Sequence, residues 1–223
     1  MSSQLGLLRV GRGSPEALVK LTQALIDGGQ LPPGSAQPIA DQIHDLQWRF
    51  GIGLDCAGYV YRAVVAVSGS PEKLGLKAPE SENFTGLPQN PRFTRLAEPT
   101  SARPGDVIVL GGNGTLADPG HNLVVRSHAT LADSSTSMLS RWPAAAAFAK
   151  DRVDIHVFEV DSSFGADSTG RVDGRVRRDV LLYDSTSKQW CACRDTTPPE
   201  VSIGGTPYLE KTLTGFFRAK VTP

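Results

Sequence analysis

DCAGYVYRAVVAV, residues Asp55 to Val67, is apolar nearly all round and is followed closely by Gly69. A run of this length is too long for an average buried strand and is typical of a helix in the middle of a domain. Asp55 is a suitable N-cap, and a glycine commonly follows the last helical turn. We therefore predict a central helix with Cys56 in its first turn.

Helices are predicted before this segment and strands after it. Ser14-Pro15-Glu16 has the pattern of a helix start, with a stop at Gly28-Gly29, and Ile39 to Phe50 predicts a second short helix. Helices followed by a run of strands indicate an α+β fold. The predicted strands are Val107 to Leu110, His121 to Arg126, Val153 to Asp161, Val176 to Tyr183 and Thr212 to Ala219.

The 223 residues suit one domain. We expect a helical N-terminal extension over residues 1–38 and a core over 40–218. The stretch 70–103 is rich in Pro, Gly, Ser and Asn, and it predicts a long surface excursion with little regular structure. A second insertion is expected at about 127–152, as a loop followed by a helix.

Charge and hydropathy restrict the partners. Lys plus Arg and Asp plus Glu both total 23, so no net charge draws the chain to nucleic acid or to an anionic membrane. A small neutral or peptide-like substrate fits better. No uncharged stretch reaches the roughly 18 to 20 residues of a bilayer span, and the N-terminus has no apolar signal region. We expect a protein made in the cytoplasm without a Sec signal, and three cysteines are too few for a disulfide framework.

Cys56 is the candidate nucleophile. Free amides and the dipole at a helix N-terminus stabilise a thiolate, and the same amides can donate to an oxyanion. The plainer alternative is a buried, inert cysteine. His121 favours the chemical interpretation, because a histidine that opens a strand after a glycine turn is rigidly held and can act as a base.

Three motifs occur together in the order Asp55-Cys56-Ala57-Gly58-Tyr59, Pro104-Gly105-Asp106 and Gly120-His121. In this order they resemble the NlpC-type family of bacterial cell-wall cysteine peptidases, over roughly residues 40 to 218. Gly215-Phe216-Phe217-Arg218 resembles the closing strand of that family. The resemblance implies a papain-like fold with the cysteine helix packed on an antiparallel sheet. It also implies hydrolysis of amide bonds in peptidoglycan peptides, typically γ-D-glutamyl bonds, with Cys56 and His121 as the catalytic pair and no cofactor.

The third catalytic residue is open, because the family usually has a histidine on the strand after the base. On that strand, alternation places Glu159 and Asp161 on one face, opposite Phe158 and Val160. Either carboxylate could orient His121, and Glu159 ranks slightly above Asp161. The alternative for each is a solvated carboxylate on an edge strand. His128 is a poorer candidate, since its odd spacing from His121 turns it to the other face of a straight strand.

The family motif also suggests residues near the substrate: Asp55, Ala57, Gly58, Tyr59 and Gly120. Ala57 stands where the family prefers serine. For Asp55 a structural role as N-cap outweighs a chemical one. Cys191-Ala192-Cys193 raises a metal hypothesis, but the chain lacks a second ligand pair at a usable interval, so no metal is expected.

Three functions remain open. The first is a thiol peptidase or amidase acting on peptidoglycan peptides. The missing Sec signal is then explained either by a dedicated secretion system, which would make the protein an antibacterial effector or toxin with a cognate immunity protein, or by the chain being part of a longer exported protein. The second is a protein-modifying deamidase, transglutaminase or acyltransferase. The third is a non-catalytic binding module of the same fold.

Overall fold

The computed structural model describes residue 8 and residues 11–31, 33–77, 84–111, 120–133, 136–163, 176–196, 199–208 and 211–220. The α-helices of these residues are α1 (Pro15–Asp27), α2 (Ile39–Arg49), α3 (Cys56–Ser68) and α4 (Pro143–Lys150). The strands are β1 (Phe93–Arg95), β2 (Val107–Gly111), β3 (His121–Thr130), β4 (Ile155–Ser163), β5 (Val176–Asp184), β6 (Gln189–Arg194), β7 (Glu200–Gly204) and β8 (Thr212–Ala219).

All eight strands form one antiparallel sheet in the order β1-β8-β2-β3-β4-β5-β6-β7. The expectation of helices combined with an antiparallel sheet is therefore confirmed at this level. The sequence missed β1, β6 and β7, which are short and carry no clear apolar alternation. No helix among the described residues is both long and apolar enough to cross a membrane.

Helix α3 begins and ends where the sequence predicts. The Asp55 carboxylate accepts a hydrogen bond from the Gly58 amide, as an N-cap does, and Gly69 follows the last turn with φ 78°. The apolar side chains of α3 pack on β2 and β3 through Val107, Val109 and Val124. We call this side of the sheet the helix face.

In its described residues, the 70–103 stretch is not the surface excursion that we predicted. Its apolar side chains Leu74, Phe84, Leu87 and Phe93 are buried with α3 and the helix face in one cluster. Apart from the three-residue strand β1, the described residues here form short 3-10 turns, which agrees with the predicted scarcity of regular structure, while the apolar side chains between the turns point inward. The stretch therefore forms part of the wall around α3.

The other side of the sheet, which we call the aromatic face, encloses a second core. Trp190 on β6 and Phe216 on β8 stack with ring centroids 5.9 Å apart, although four strands separate β6 and β8 in the sheet. The sheet must curl strongly to bring them together, as twisted sheets of this size do. This curvature buries Leu110, Leu123 and Phe158 on the concave side.

A close backbone approach fixes the start of α3. The Asp55 amide donates to the Gly11 carbonyl oxygen at 2.8 Å, and the Arg12 guanidinium pairs with the Asp55 carboxylate at 3.2 Å. A Cβ on Gly58 would lie 2.2 Å from the same Gly11 oxygen. Gly58 is thus required by the N-terminal turn that packs against the helix.

Candidate active site

Cys56 is the first residue of α3 and is partly exposed. The side-chain amide nitrogen of Asn122 lies 3.8 Å from its sulfur, and the backbone amides of Asn122 and Ala57 also donate toward it. Asn122 is the second residue of β3, and its side chain points to the helix face with Val124. The arrangement surrounds the sulfur with N–H donors, which is what a thiolate or an oxyanion requires.

Burial raises the pKa of the Cys56 thiol, and the neighbouring Asp55 carboxylate raises it further. The Asn122 and Ala57 donors act in the opposite direction and do not overcome these two causes. The expectation that the helix N-terminus would lower the pKa of this thiol is therefore not met. A base must take the thiol proton before Cys56 can attack a carbonyl.

His121 does not form the predicted pair with Cys56. Its neighbours in the sheet show why: His121 pairs with Leu110, whose side chain belongs to the aromatic face, whereas Asn122 pairs with Val109 on the helix face. Successive side chains of a strand point to opposite faces. The His121 ring therefore lies on the aromatic face, and Asn122 takes the contact with the sulfur.

The His121 ring has its own polar surroundings on the aromatic face. Nε2 lies 3.2 Å from the Ser162 hydroxyl, and the ring meets Tyr208 edge-on with centroids 6.0 Å apart. Burial, together with the positive charges of Arg177 and Arg194, lowers the pKa of His121 to about 3. The imidazole is neutral at physiological pH and contributes to a buried polar network.

Lys211 lies within electrostatic reach of Cys56. It immediately precedes β8, whose first residue Thr212 pairs with Gly111 at the end of the sheet where β3 begins. Burial lowers the pKa of Lys211, while the negative charge of a Cys56 thiolate raises it. A neutral lysine amine can accept a proton, and the burial of Lys211 favours that form over the ammonium.

The two predicted orienting carboxylates share a face, but neither contacts His121. Asp161 pairs with Arg126 at 3.4 Å and with Arg178 at 3.3 Å, and Glu159 accepts a hydrogen bond from Ser127 at 2.9 Å. Both project from the helix face of β4, whereas His121 lies on the opposite face. Ser162, which follows Asp161 and projects from the aromatic face of β4, is the residue that reaches the imidazole.

The residues suggested as substrate contacts have different surroundings. Asp55 is the N-cap, and burial raises its pKa despite the Arg12 ion pair. Ala57 is buried in the core and Gly58 faces the Gly11 turn, so neither lines the space above the sulfur. Tyr59 is partly exposed, with its hydroxyl 3.5 Å from Asp161. Gly120 forms the turn before β3 with φ 93°.

A β-bulge changes the position predicted for His128. The pairing of β3 with β4 shifts between Val125 and Ser127, so Arg126 is the extra residue. The bulge compensates for the odd spacing, and His128 stacks on Phe158 on the aromatic face, the same face as His121. Its ring nitrogens contact the Ala102 carbonyl oxygen at 2.9 Å and His156 at 3.0 Å.

Cys191 and Cys193 are fully buried on β6, in a cluster with α4. In the part of the chain that the structure describes, no group of three or more metal-ligating side chains comes together. The two thiols therefore belong to the hydrophobic packing between β6 and α4.

Asn122 and Lys211 are the site residues that the sequence did not identify. Asn122 stands next to His121, and β3 is apolar on both faces, so its pattern does not show which of the two polar residues faces the helix. Lys211 is far from Cys56 in the chain, and only the pairing of β8 with β2 brings it near. Among family models, curated proteins and solved structures, no match to this chain was found.

Proposed function

We propose that the protein is a thiol hydrolase of papain-like fold that cleaves amide bonds in peptidoglycan peptides, with Cys56 as the nucleophile. The observation that carries the proposal is the Cys56 environment: a partly exposed thiol at a helix N-terminus, with the Asn122 amide 3.8 Å from the sulfur. The resemblance of the three motifs to the cell-wall peptidases supports the choice of substrate.

In the proposed reaction, the Lys211 amine takes the proton of the Cys56 thiol. The sulfur then attacks the amide carbonyl carbon, and the Asn122 side chain and the Ala57 amide donate to the resulting oxyanion. The carbon–nitrogen bond breaks as the Lys211 ammonium returns its proton to the leaving amine. Water hydrolyses the thioester to a carboxylic acid and restores the thiol. His121 holds no catalytic role in this scheme, because its ring lies on the aromatic face.

Digestion of purified peptidoglycan tests the proposal. The wild-type protein and a Cys56→Ala variant of matching circular dichroism are incubated with sacculi, and the released muropeptides are identified by mass spectrometry. New muropeptides from the wild type alone would support the proposal and name the bond. Unchanged muropeptides, with Cys56-dependent modification of protein or amine acceptors, would favour the protein-modifying alternative.

One observation favours the non-catalytic alternative, namely the raised pKa of the Cys56 thiol. A binding module has no need of a reactive thiol. The rate at which Cys56 is alkylated at neutral pH separates a binding module from a hydrolase. In a binding module Cys56 should react no faster than an ordinary exposed thiol. In a hydrolase it should react faster, and a Lys211→Met variant should lose this advantage.

A further inference from the structure

We infer that His128 and His156 together bind one proton more than two neutral imidazoles carry, and that this proton closes a pH-sensitive link from Ala102 to Asp154. The link joins the end of the 70–103 stretch to strand β3, which carries His128, and to the start of β4, which carries His156. It lies apart from Cys56, which belongs to the helix face, and it does not depend on the proposed reaction.

The link consists of three contacts in a row. His128 Nδ1 lies 2.9 Å from the Ala102 carbonyl oxygen, and His128 Nε2 lies 3.0 Å from His156 Nδ1. His156 Nε2 in turn lies 3.4 Å from a carboxylate oxygen of Asp154. The two rings stack with centroids 5.2 Å apart, and the side chain of His156 is only 14% exposed. Little water can therefore replace a contact that fails.

The number of protons in this row decides its charge. The two ends, a carbonyl oxygen and a carboxylate, accept hydrogen bonds and do not donate them. Each of the three contacts therefore needs one N–H proton. A neutral imidazole has one N–H and one lone pair, so two neutral rings supply only two protons. Whichever tautomers they adopt, at least one contact then sets two lone pairs against each other, whereas one added proton completes all three.

His156 is the ring that carries the positive charge. It lies between His128 and the Asp154 carboxylate, whereas His128 faces a neutral carbonyl group. Burial lowers the pKa of His128, the hydrogen bond to Ala102 partly offsets this, and the positive charge of His156 lowers it again. His128 therefore stays neutral, donates from Nδ1 to Ala102 and accepts at Nε2 from His156.

Asp154 is the counter-ion of the pair. Among the described residues it is the only acidic side chain within 4 Å of a nitrogen of either ring, and its second oxygen accepts from the Ser185 hydroxyl. Tyr183 stands opposite His156 on β5, with Lys188 beside its ring. The other charged groups on the neighbouring elements are engaged elsewhere or exposed: Asp133 with Thr130, Arg152 with Asp184, Lys188 with Glu98, and Arg103 at the surface.

The link is complete in mildly acidic solution and opens as the pH rises. Its longest contact is the one with Asp154, so this contact fails when His156 loses its proton and turns a lone pair toward the carboxylate. A proton that the folded protein holds more tightly than the unfolded chain stabilises the fold in acid, and this contribution is lost as the pH rises. The turn before β4 is thus held more firmly in acid than in base.

Nitrogen-15 NMR of the histidine rings between pH 8 and pH 5 tests the inference, because ring nitrogen shifts distinguish an N–H from a lone pair. We expect His128 to be the Nδ1–H tautomer and His156 to gain its proton first. At a fixed pH, the ratio of imidazolium to neutral His156 should be about 3 to 10 times larger in the wild type than in Asp154→Asn. Asp133→Asn is the matched control, since its carboxylate accepts from Thr130 and contacts neither ring.

Hydrogen exchange of the Ser185 amide measures the opening itself, because this amide donates to the Asp154 carbonyl oxygen at 3.0 Å. After correction for the intrinsic rate, its protection should be about 3 to 10 times greater at pH 6 than at pH 8, and His156→Gln should abolish the difference. The Gly75 amide, which donates to the Glu72 carbonyl oxygen in a turn without histidines, should show no such change.

Three results would overturn the inference. The first is a His156 ring that stays neutral down to pH 5, or an Nε2–H tautomer of His128. The second is an equal imidazolium ratio in the wild type and Asp154→Asn. The third is equal protection of the Ser185 amide at pH 6 and pH 8 in the wild type. None of these measurements involves catalysis, so each is independent of the proposed function.

Discussion

The amide nitrogen of Asn122 lies 3.8 Å from the sulfur of Cys56, whereas the neighbouring residue, His121, turns its ring to the opposite face of the sheet. The contact links the start of α3 to the start of β3. It also decides which side chain can assist the thiol, and in the proposed reaction Asn122 and Lys211 assist Cys56.

Replacement of Asn122 by leucine should remove an oxyanion donor with little change in side-chain volume. We expect kcat on a cleavable peptide to fall by about 100-fold to 1000-fold, as for other oxyanion donors. Steady-state kinetics would measure the change. A variant with wild-type kcat would exclude Asn122 from the transition state.

Lys211→Met and His121→Gln should have unequal effects. We expect the lysine variant to lose about 100-fold to 10,000-fold in kcat/KM, because it removes the proposed base for Cys56. The histidine variant should keep activity within about tenfold wherever it remains folded. Lys220→Met serves as a control, since Lys220 donates to the Pro91 carbonyl oxygen at the end of β8. The reverse order of losses would restore His121 as the base.

His121 should make folding sensitive to acid. The pKa of His121 is about 3 in the folded protein and 6.5 for an unburied histidine, as in the unfolded chain. Below pH 6.5 the unfolded chain therefore binds a proton that the folded chain does not. Its contribution is complete above pH 6.5 and is lost as the pH falls toward 3. The free energy of unfolding should fall by about 1.4 kcal/mol per pH unit across this range from His121 alone.

Urea denaturation at pH 7.5, 6.5, 5.5 and 4.5 would measure this dependence. The His121→Gln variant should show a shallower fall, because glutamine does not titrate. An identical slope in both proteins would mean that His121 is not buried in its neutral form.

Gly58→Ala should destabilise the fold although alanine favours helices. The new Cβ would lie 2.2 Å from the Gly11 carbonyl oxygen, so the N-terminal turn or α3 must move. We expect a loss of about 1–3 kcal/mol in the free energy of unfolding. Gly86→Ala is the control, since a Cβ there meets no atom within 4 Å, and its effect should stay within about 0.5 kcal/mol.

Helix α3 could be predicted because its determinants are local: Asp55 as N-cap, a continuous apolar run, and Gly69 after the last turn. Strand β8 was predicted with its observed bounds because its determinants are local as well. The face of His121 could not be predicted. A strand covered on both sides shows no alternation, and a shift of one residue exchanges the two faces.

Contacts between residues far apart in the chain were the other feature that the sequence could not predict. Leu74 and Phe84 lie in a stretch whose Pro and Gly content indicates a surface loop, and only packing against α3 reveals them as core residues. The bulge at Arg126 likewise depends on the pairing of β3 with β4, so the face of His128 could not be read from spacing alone.

Covalent labelling of Cys56 by a substrate-like probe is the decisive measurement. The probe is a γ-D-glutamyl peptide with an acyloxymethyl ketone at the position of the scissile carbonyl, and tryptic mass spectrometry locates the label. We predict modification of Cys56 alone, faster than with a probe of scrambled sequence and slowed by Asn122→Leu and Lys211→Met. Labelling of Cys56 no faster than by the scrambled probe, or no labelling at all, would contradict its role as the nucleophile of a γ-glutamyl hydrolase.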